Sequence, residues 1–184
     1  MNLAKNVPLS DIISGCKKYN PDSQLQLYQV YAKQMTAICQ RYCGDYETAR
    51  DLMHDGFIRV FDMIKTYDQR GSFEGWIKKI FTNIAIDKIR RMDTLRMPKE
   101  IETLENFAVD AQSDFSENID IEQIMNAITQ LPTIARTVFN MYNIDGYSIE
   151  EIAQKLNMTS AAVRTQHSRA KQKLQMMLKE LEFR

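Results

Sequence analysis

From Tyr147 to Leu174 the residues are those of two short helices around a three- or four-residue turn, and the second helix carries cations with no acidic residue to cancel them. That is the physical outline of a helix-turn-helix that lays one helix in duplex DNA. Ser148 is placed to cap the first helix and Glu151, three residues on, to close a capping box ahead of Ile152, Ala153 and Leu156. Asn157 tolerates the left-handed backbone that ends a helix. Met158 is an apolar turn residue, and Thr159 or Ser160 caps the next helix, in which Val163, Ala170 and Leu174 recur seven and four residues apart. Opposite that apolar side lie Ser160, Ala161, Arg164, Thr165 and Ser168, followed by Arg169, Lys171 and Lys173. An arginine can fork onto guanine, small side chains permit close approach to bases, and the later cations can neutralise phosphate. The competing reading is a solvated basic helix packed on a neighbouring domain; capping box, turn and uncompensated cations together weigh against it. His167, four residues after Val163 and three before Ala170, falls on the inward edge and reads as a partly buried neutral histidine.

Catalytic chemistry is poorly served. There is no Gly-rich phosphate loop, no pairing of nucleophile with base, and the two histidines, His54 and His167, are far apart in sequence. Glu150 and Glu151 are adjacent but belong to a helix start. Cys16, Cys39 and Cys43 are too few and too oddly numbered for a disulfide framework. Cys39 and Cys43, with His54 downstream, could be taken for metal ligands, yet they stand one helical turn apart at apolar positions and read as buried thiols. No metal, no cofactor and no enzymatic activity are expected.

The elements that must position these residues are all helical by pattern. A first helix is expected from Ser10 or Asp11 as cap to the break at Asn20 and Pro21, and a longer one from Gln24 to Tyr42, ended by Gly44. Asp45 then caps a third, with Ala49, Leu52, Met53, Phe57, Val60, Phe61 and Ile64 as its apolar stripe. Tyr67 to Ser72 is a polar turn. After it Phe73, Trp76, Ile77, Ile80, Phe81, Ile84 and Ile89 build a fourth helix ending in Arg90 and Arg91. No run of alternating β-branched residues suggests a strand. The expected fold is all-α: two small helical domains, residues 1–92 and 119–184, joined by an acidic flexible linker over 93–118 that Pro98 opens.

A total of 24 basic and 24 acidic side chains in 184 residues argues, by itself, against a nucleic-acid binder. Distribution overrides the sum: between Lys99 and Asp120 the charges are Glu100, Glu102, Glu105, Asp110, Asp114, Glu117 and Asp120 against Lys99 alone, which leaves the flanks basic. No apolar run approaches the ~20 residues of a membrane span and no secretion signal opens the chain, so a cytoplasmic protein is expected.

Three segments together resemble a bacterial sigma factor of the sigma-70 family, in its smallest, extracytoplasmic-function (ECF) form. They are Ala49 to Phe61 (Ala-Arg-Asp-Leu-Met-His-Asp-Gly-Phe-Ile-Arg-Val-Phe), Gly71 to Ile80 (Gly-Ser-Phe-Glu-Gly-Trp-Ile-Lys-Lys-Ile) with Asn83, Ala85, Asp87 and Arg90, and the helix-turn-helix. The resemblance implies that the first domain binds core RNA polymerase and opens the minus-ten promoter element, and that the second binds the minus-thirty-five element as duplex. It maps the polymerase contact onto Asp51, Leu52, His54, Asp55, Phe57 and Ile58, with His54 where the family usually has Gln. The alternative for these residues is solvated acids and an apolar core.

The same resemblance assigns the melted minus-ten strand to Tyr67, Arg70, Phe73, Trp76, Lys79, Asn83, Lys88, Arg90 and Arg91. Rings, cations and an amide suit bases that have left the stack. Phe73 and Trp76 share an apolar stripe with Ile80 and Ile84, so each is read either as core or as DNA-facing. Asp87 reads as a partner of a neighbouring Arg. The minus-thirty-five set is Ser160, Ala161, Arg164, Thr165, Ser168, Arg169 and Lys171. The implied partners are core RNA polymerase, promoter DNA as duplex and as melted strand, and an anti-sigma factor, with no membrane insertion. A stand-alone transcription factor is the rival class; it would bind duplex unaided.

Overall fold

The computed structural model describes residues 7–96 and 120–182, and every regular element among them is helical. In order these are α1 (Leu9–Lys17), α2 (Pro21–Cys43), α3 (Tyr46–Met63) with a 3-10 turn (Ile64–Thr66), α4 (Phe73–Arg96), α5 (Ile121–Thr129), α6 (Thr133–Phe139) with a π-helical turn (Asn140–Ile144), α7 (Ile149–Leu156) and α8 (Ser160–Glu182). The chain divides into two compact units, Met1–Gln40 with Asp45–Ala85, and Arg41–Gly44 with Ile86–Arg184. The acidic linker expected over 93–118 lies outside the described residues beyond Arg96.

Short polar side chains start most of these helices by accepting bonds from otherwise unpaired N–H groups. Asn20 Oδ1 accepts from Ser23 N at 2.9 Å, Asp45 Oδ1 from Thr48 N at 2.8 Å, and Ser72 Oγ from Gly75 N at 3.0 Å. Three boundaries differ from expectation. Helix α1 begins at Leu9 behind Pro8 without a side-chain cap, because Ser10 is engaged with Asp11. Helix α2 begins at Pro21 rather than Gln24, since proline suits a first helical position, where no N–H is needed. Helix α4 runs on to Arg96, past Arg91, there being no helix-restricting residue before Pro98.

In the first unit the apolar stripes meet around Leu27, Met35, Val60, Ile64, Ile77 and Phe81, none of which is measurably exposed. Burying side chains of this size stabilises by about 1.5–3 kcal/mol each. Helices α3 and α4 approach closely at Gly56, where a Cβ would stand 2.1 Å from Phe81 Cε1. Helix α1 ends in a six-to-one and five-to-two turn: Asn20 N donates to Gly15 O at 3.0 Å and Tyr19 N to Cys16 O at 2.9 Å. Tyr19 holds the left-handed position at φ 59, which costs roughly 1–2 kcal/mol for a residue bearing a Cβ.

The second unit is built on α8. Leu174, Leu178 and Ala170 pack with Ala127, Ile128, Leu131 and Ala135 of α5, α6 and the turn between them, and Phe139 and Met177 lie against this core. Asp120 and Gln123 form a capping box at the start of α5, which the acidic surroundings hid in the sequence. Arg136 is buried and its Nη1 donates to Thr129 O at 2.7 Å and Leu131 O at 3.0 Å, satisfying carbonyls that the end of α5 leaves open.

Candidate nucleic-acid interface

The turn between α7 and α8 is fixed by local chemistry at each of its corners. Ser148 Oγ accepts from Glu151 N at 3.2 Å while Glu151 Oε2 accepts from Ser148 N at 2.8 Å. Asn157 adopts φ 54 and ψ 42, the left-handed conformation that stops α7, and Thr159 Oγ1 accepts from Ala162 N at 3.1 Å to start α8. Val163 and Ala170 are fully buried, so their side of α8 is core. Ala161 and Arg164 are exposed, and Ser160, Thr165 and Ser168 half-buried, on the other side. Arg164 Nη2 lies 3.7 Å from Glu150 Oε1; both side chains are largely in solvent, and such a pair holds arginine only weakly.

Arg169 is turned away from that face. With Lys173 and Gln166 it lines a cleft of about 490 Å³ against Pro132, Thr133, Ile134 and Ala135. On an α-helix Arg169 stands about 140° round from Arg164, so the two cannot read neighbouring bases. Lys171 is half-buried, on the Arg164 side. His167 is half-buried too: its Nε2 lies 2.7 Å from Asn143 Oδ1, and its ring meets Tyr142 at 4.6 Å and stacks near Phe139. Desolvation, and after it Lys171, pushes the His167 pKa below its ordinary value. Because Asn143 offers an oxygen, His167 donates from Nε2. Nothing local in sequence marks this pair, whose members are 24 residues apart.

In the first unit the exposed face of α3 carries Asp51, His54, Asp55 and Ile58. Ile58 is 62% exposed, a large apolar side chain with acids on the turns around it. Leu52 and Phe57 are 4% and 3% exposed and serve the unit's own core, so in this structure they offer no contact surface. Asp62, exposed, extends the face by one turn beyond Ile58. Asp62 is absent from the contact set that the family likeness implies, although its spacing of seven from Asp55 and four from Ile58 marks the same helix face.

The segment between α3 and α4 is held by aromatic packing. Tyr67 and Phe73 are buried, their ring centroids 5.1 Å apart, and both meet Trp76 at 5.5 and 5.4 Å. Lys17 Nζ donates to Tyr67 O at 2.7 Å and Tyr67 Oη to Gly71 O at 2.8 Å. The rings of Tyr67 and Phe73 therefore stiffen the loop from inside rather than offering open platforms, while Trp76 is half-exposed. Arg70, beside Asp68, and Lys79 are exposed, and Asn83, one turn after Lys79, is half-buried. Further along α4, Lys88 and Arg91 are exposed and Arg90 pairs with Asp87 at 3.1 Å.

Cys16 and Cys39 lie in the core, where desolvation pushes the Cys16 thiol up, and no group of residues suited to hold a metal occurs among the described residues. No described helix is long and apolar enough to cross a membrane.

Comparison with known proteins gives this arrangement a family. Residues 27–94 match the model for sigma-70 region 2 and residues 121–174 that for sigma-70 region 4, between them more than half of the chain. The chain belongs to the sigma-70 family of transcription initiation factors, in its ECF group, and is not an enzyme. It is 29% identical over 152 residues to the ECF RNA polymerase sigma factor SigE of Mycolicibacterium smegmatis, a match over 81% of this chain and 59% of that protein's length. To the ECF RNA polymerase sigma factor SigW of Bacillus subtilis it is 27% identical over 179 residues, 92% of this chain and 96% of that one. Among solved structures, the sigma factor RpoE in complex with the anti-sigma factor NepR from Bartonella quintana aligns with 84% of the chain and 95% of that chain at 18% identity and a TM-score of 0.49.

Proposed function

We propose that the two regions divide the work of promoter recognition: residues 1–92 bind core RNA polymerase and the opened minus-ten element, and residues 119–184 read the minus-thirty-five element as duplex. The observation that carries the reading is the face of α8, where Ala161 and Arg164 are exposed beyond a turn capped at both corners, Arg164 in only a long, solvated contact with Glu150. Arg164 reads a base; Thr165, Ser168 and Ser160 allow the close approach; Lys171 neutralises phosphate. Arg169, turned to the cleft against Pro132 and Thr133, reads no base in this arrangement.

On α3 the polymerase-binding surface is Asp51, His54, Asp55, Ile58 and Asp62, an apolar centre with three acids around it and exposed Arg59 at its edge, suited to a partner helix with basic residues around an apolar one. The melted strand is held by Arg70, Lys79, Asn83 and the open edge of Trp76, with Lys88, Arg90 and Arg91 along the backbone. Tyr67 and Phe73 act here by shaping the loop. Each contact set is small, so binding depends on both being joined in one chain, which raises the effective concentration of the second site once the first is engaged. The factor works in the cytoplasm, and an anti-sigma partner belongs to the reading through family likeness.

Binding of the full chain to purified core polymerase tests this. Asp51→Lys with Asp55→Lys should weaken association at least tenfold and leave the helical signal unchanged; unchanged association would remove α3 from the contact.

A further inference from the structure

The turn between α1 and α2 carries an open aromatic ring on backbone that its residue type resists. Tyr19 occupies, at φ 59, the position after a helix that glycine fills without strain, and it is 59% exposed, so the strain secures no burial. Strain kept where a smaller residue would relieve it points to use of the side chain itself. Lys65 Nζ, from the 3-10 turn, lies over one face of the ring, 4.1 Å from its centroid, which orients the ring and leaves the opposite face to take a base. Lys18, the preceding residue, is exposed. Lys17 Nζ fastens this end of α1 to the backbone of Tyr67, the first residue of the loop before α4. An accessible ring flanked by cations is the chemistry that takes up an unstacked base and its phosphates.

We propose that Tyr19 is a stacking platform for one base of the opened promoter strand, extending the strand-binding surface from the Tyr67–Ser72 loop to the α1–α2 turn. The inference rests on the assignment of that loop to melted DNA. Lys65 and Lys18 meet the phosphates on either side of the stacked base.

The test uses the full chain with core polymerase on a promoter that this holoenzyme transcribes, with 2-aminopurine placed singly along the melted region. One position should be quenched with the wild type, Tyr19→Phe and Tyr19→Trp, and not with Tyr19→Gly. Tyr19→Gly should shorten the lifetime of the open complex about 5- to 150-fold, while its own melting temperature holds or rises because the strain is gone. An unchanged lifetime and an unchanged quench in Tyr19→Gly overturn the inference. Arg70→Ala and Lys79→Ala separate the two claims: if they shorten the lifetime and Tyr19→Gly does not, only the platform fails. If none of the three does, the assignment of the loop fails with it.

Discussion

At Gly56 the missing side chain is what allows α3 to lie on the ring of Phe81, since a methyl group there would sit 2.1 Å from Cε1. Gly56→Ala should destabilise the first unit by about 1–3 kcal/mol, the usual cost of overpacking, in spite of alanine's better helix propensity. Urea denaturation measures this, and Phe81→Leu added to it should recover part of the loss by making room. His167 exerts a different control. Burial lowers its pKa from 6.5, so the unfolded chain takes up a proton before the folded one does as pH falls. The contribution of His167 to stability is therefore complete above about pH 6.5 and is lost as pH falls towards the folded pKa. Thermal melts of His167→Gln across pH 5 to 8 should show a flatter profile in that window than the wild type; an identical profile would mean that His167 is not titrating against burial.

Each corner of the helix-turn-helix rests on its own small contribution. Ser148→Ala removes one side of the capping box and should cost about 1 kcal/mol of unit stability. On α8 the roles of Arg164 and Lys171 separate by sequence dependence. Arg164→Ala should weaken promoter binding by about 1–3 kcal/mol and relax preference at one base pair, whereas Lys171→Ala should weaken all sequences alike and reduce the salt slope by about one. Competition binding against single-base promoter variants distinguishes them. The local devices here were legible beforehand: the Ser148 and Glu151 box, the left-handed Asn157, the Asp45 cap and the apolar stripes all depend on neighbours within four residues. What was not legible depends on distant partners. Tyr67 and Phe73 have the ring chemistry of a DNA contact, and it is their mutual packing with Tyr31 and Trp76 that consumes it. The Asn143–His167 bond joins residues 24 apart, and no local pattern records it.

Over the whole chain, a balanced charge total conceals two faces of opposite character, one on α3 with Asp51, Asp55, Asp62 and Ile58 and one on α8 with Arg164 and Lys171, and the proposed function rests on them. A net-neutral protein of this kind is not drawn to DNA by bulk charge, so its selectivity has to come from where its cations stand and from the machine that carries it. Neither surface is large, and the chain without core polymerase is expected to bind promoter duplex weakly, with little preference for sequence. The most direct test is transcription by purified core polymerase with this chain on a genomic promoter library, read by sequencing the 5′ ends of the transcripts. Discrete start sites that share two spaced upstream motifs, lost without the chain and shifted in base preference by Arg164→Ala, are the expected result. Start sites unaffected by the chain, together with tight sequence-specific binding by the chain alone, would contradict it.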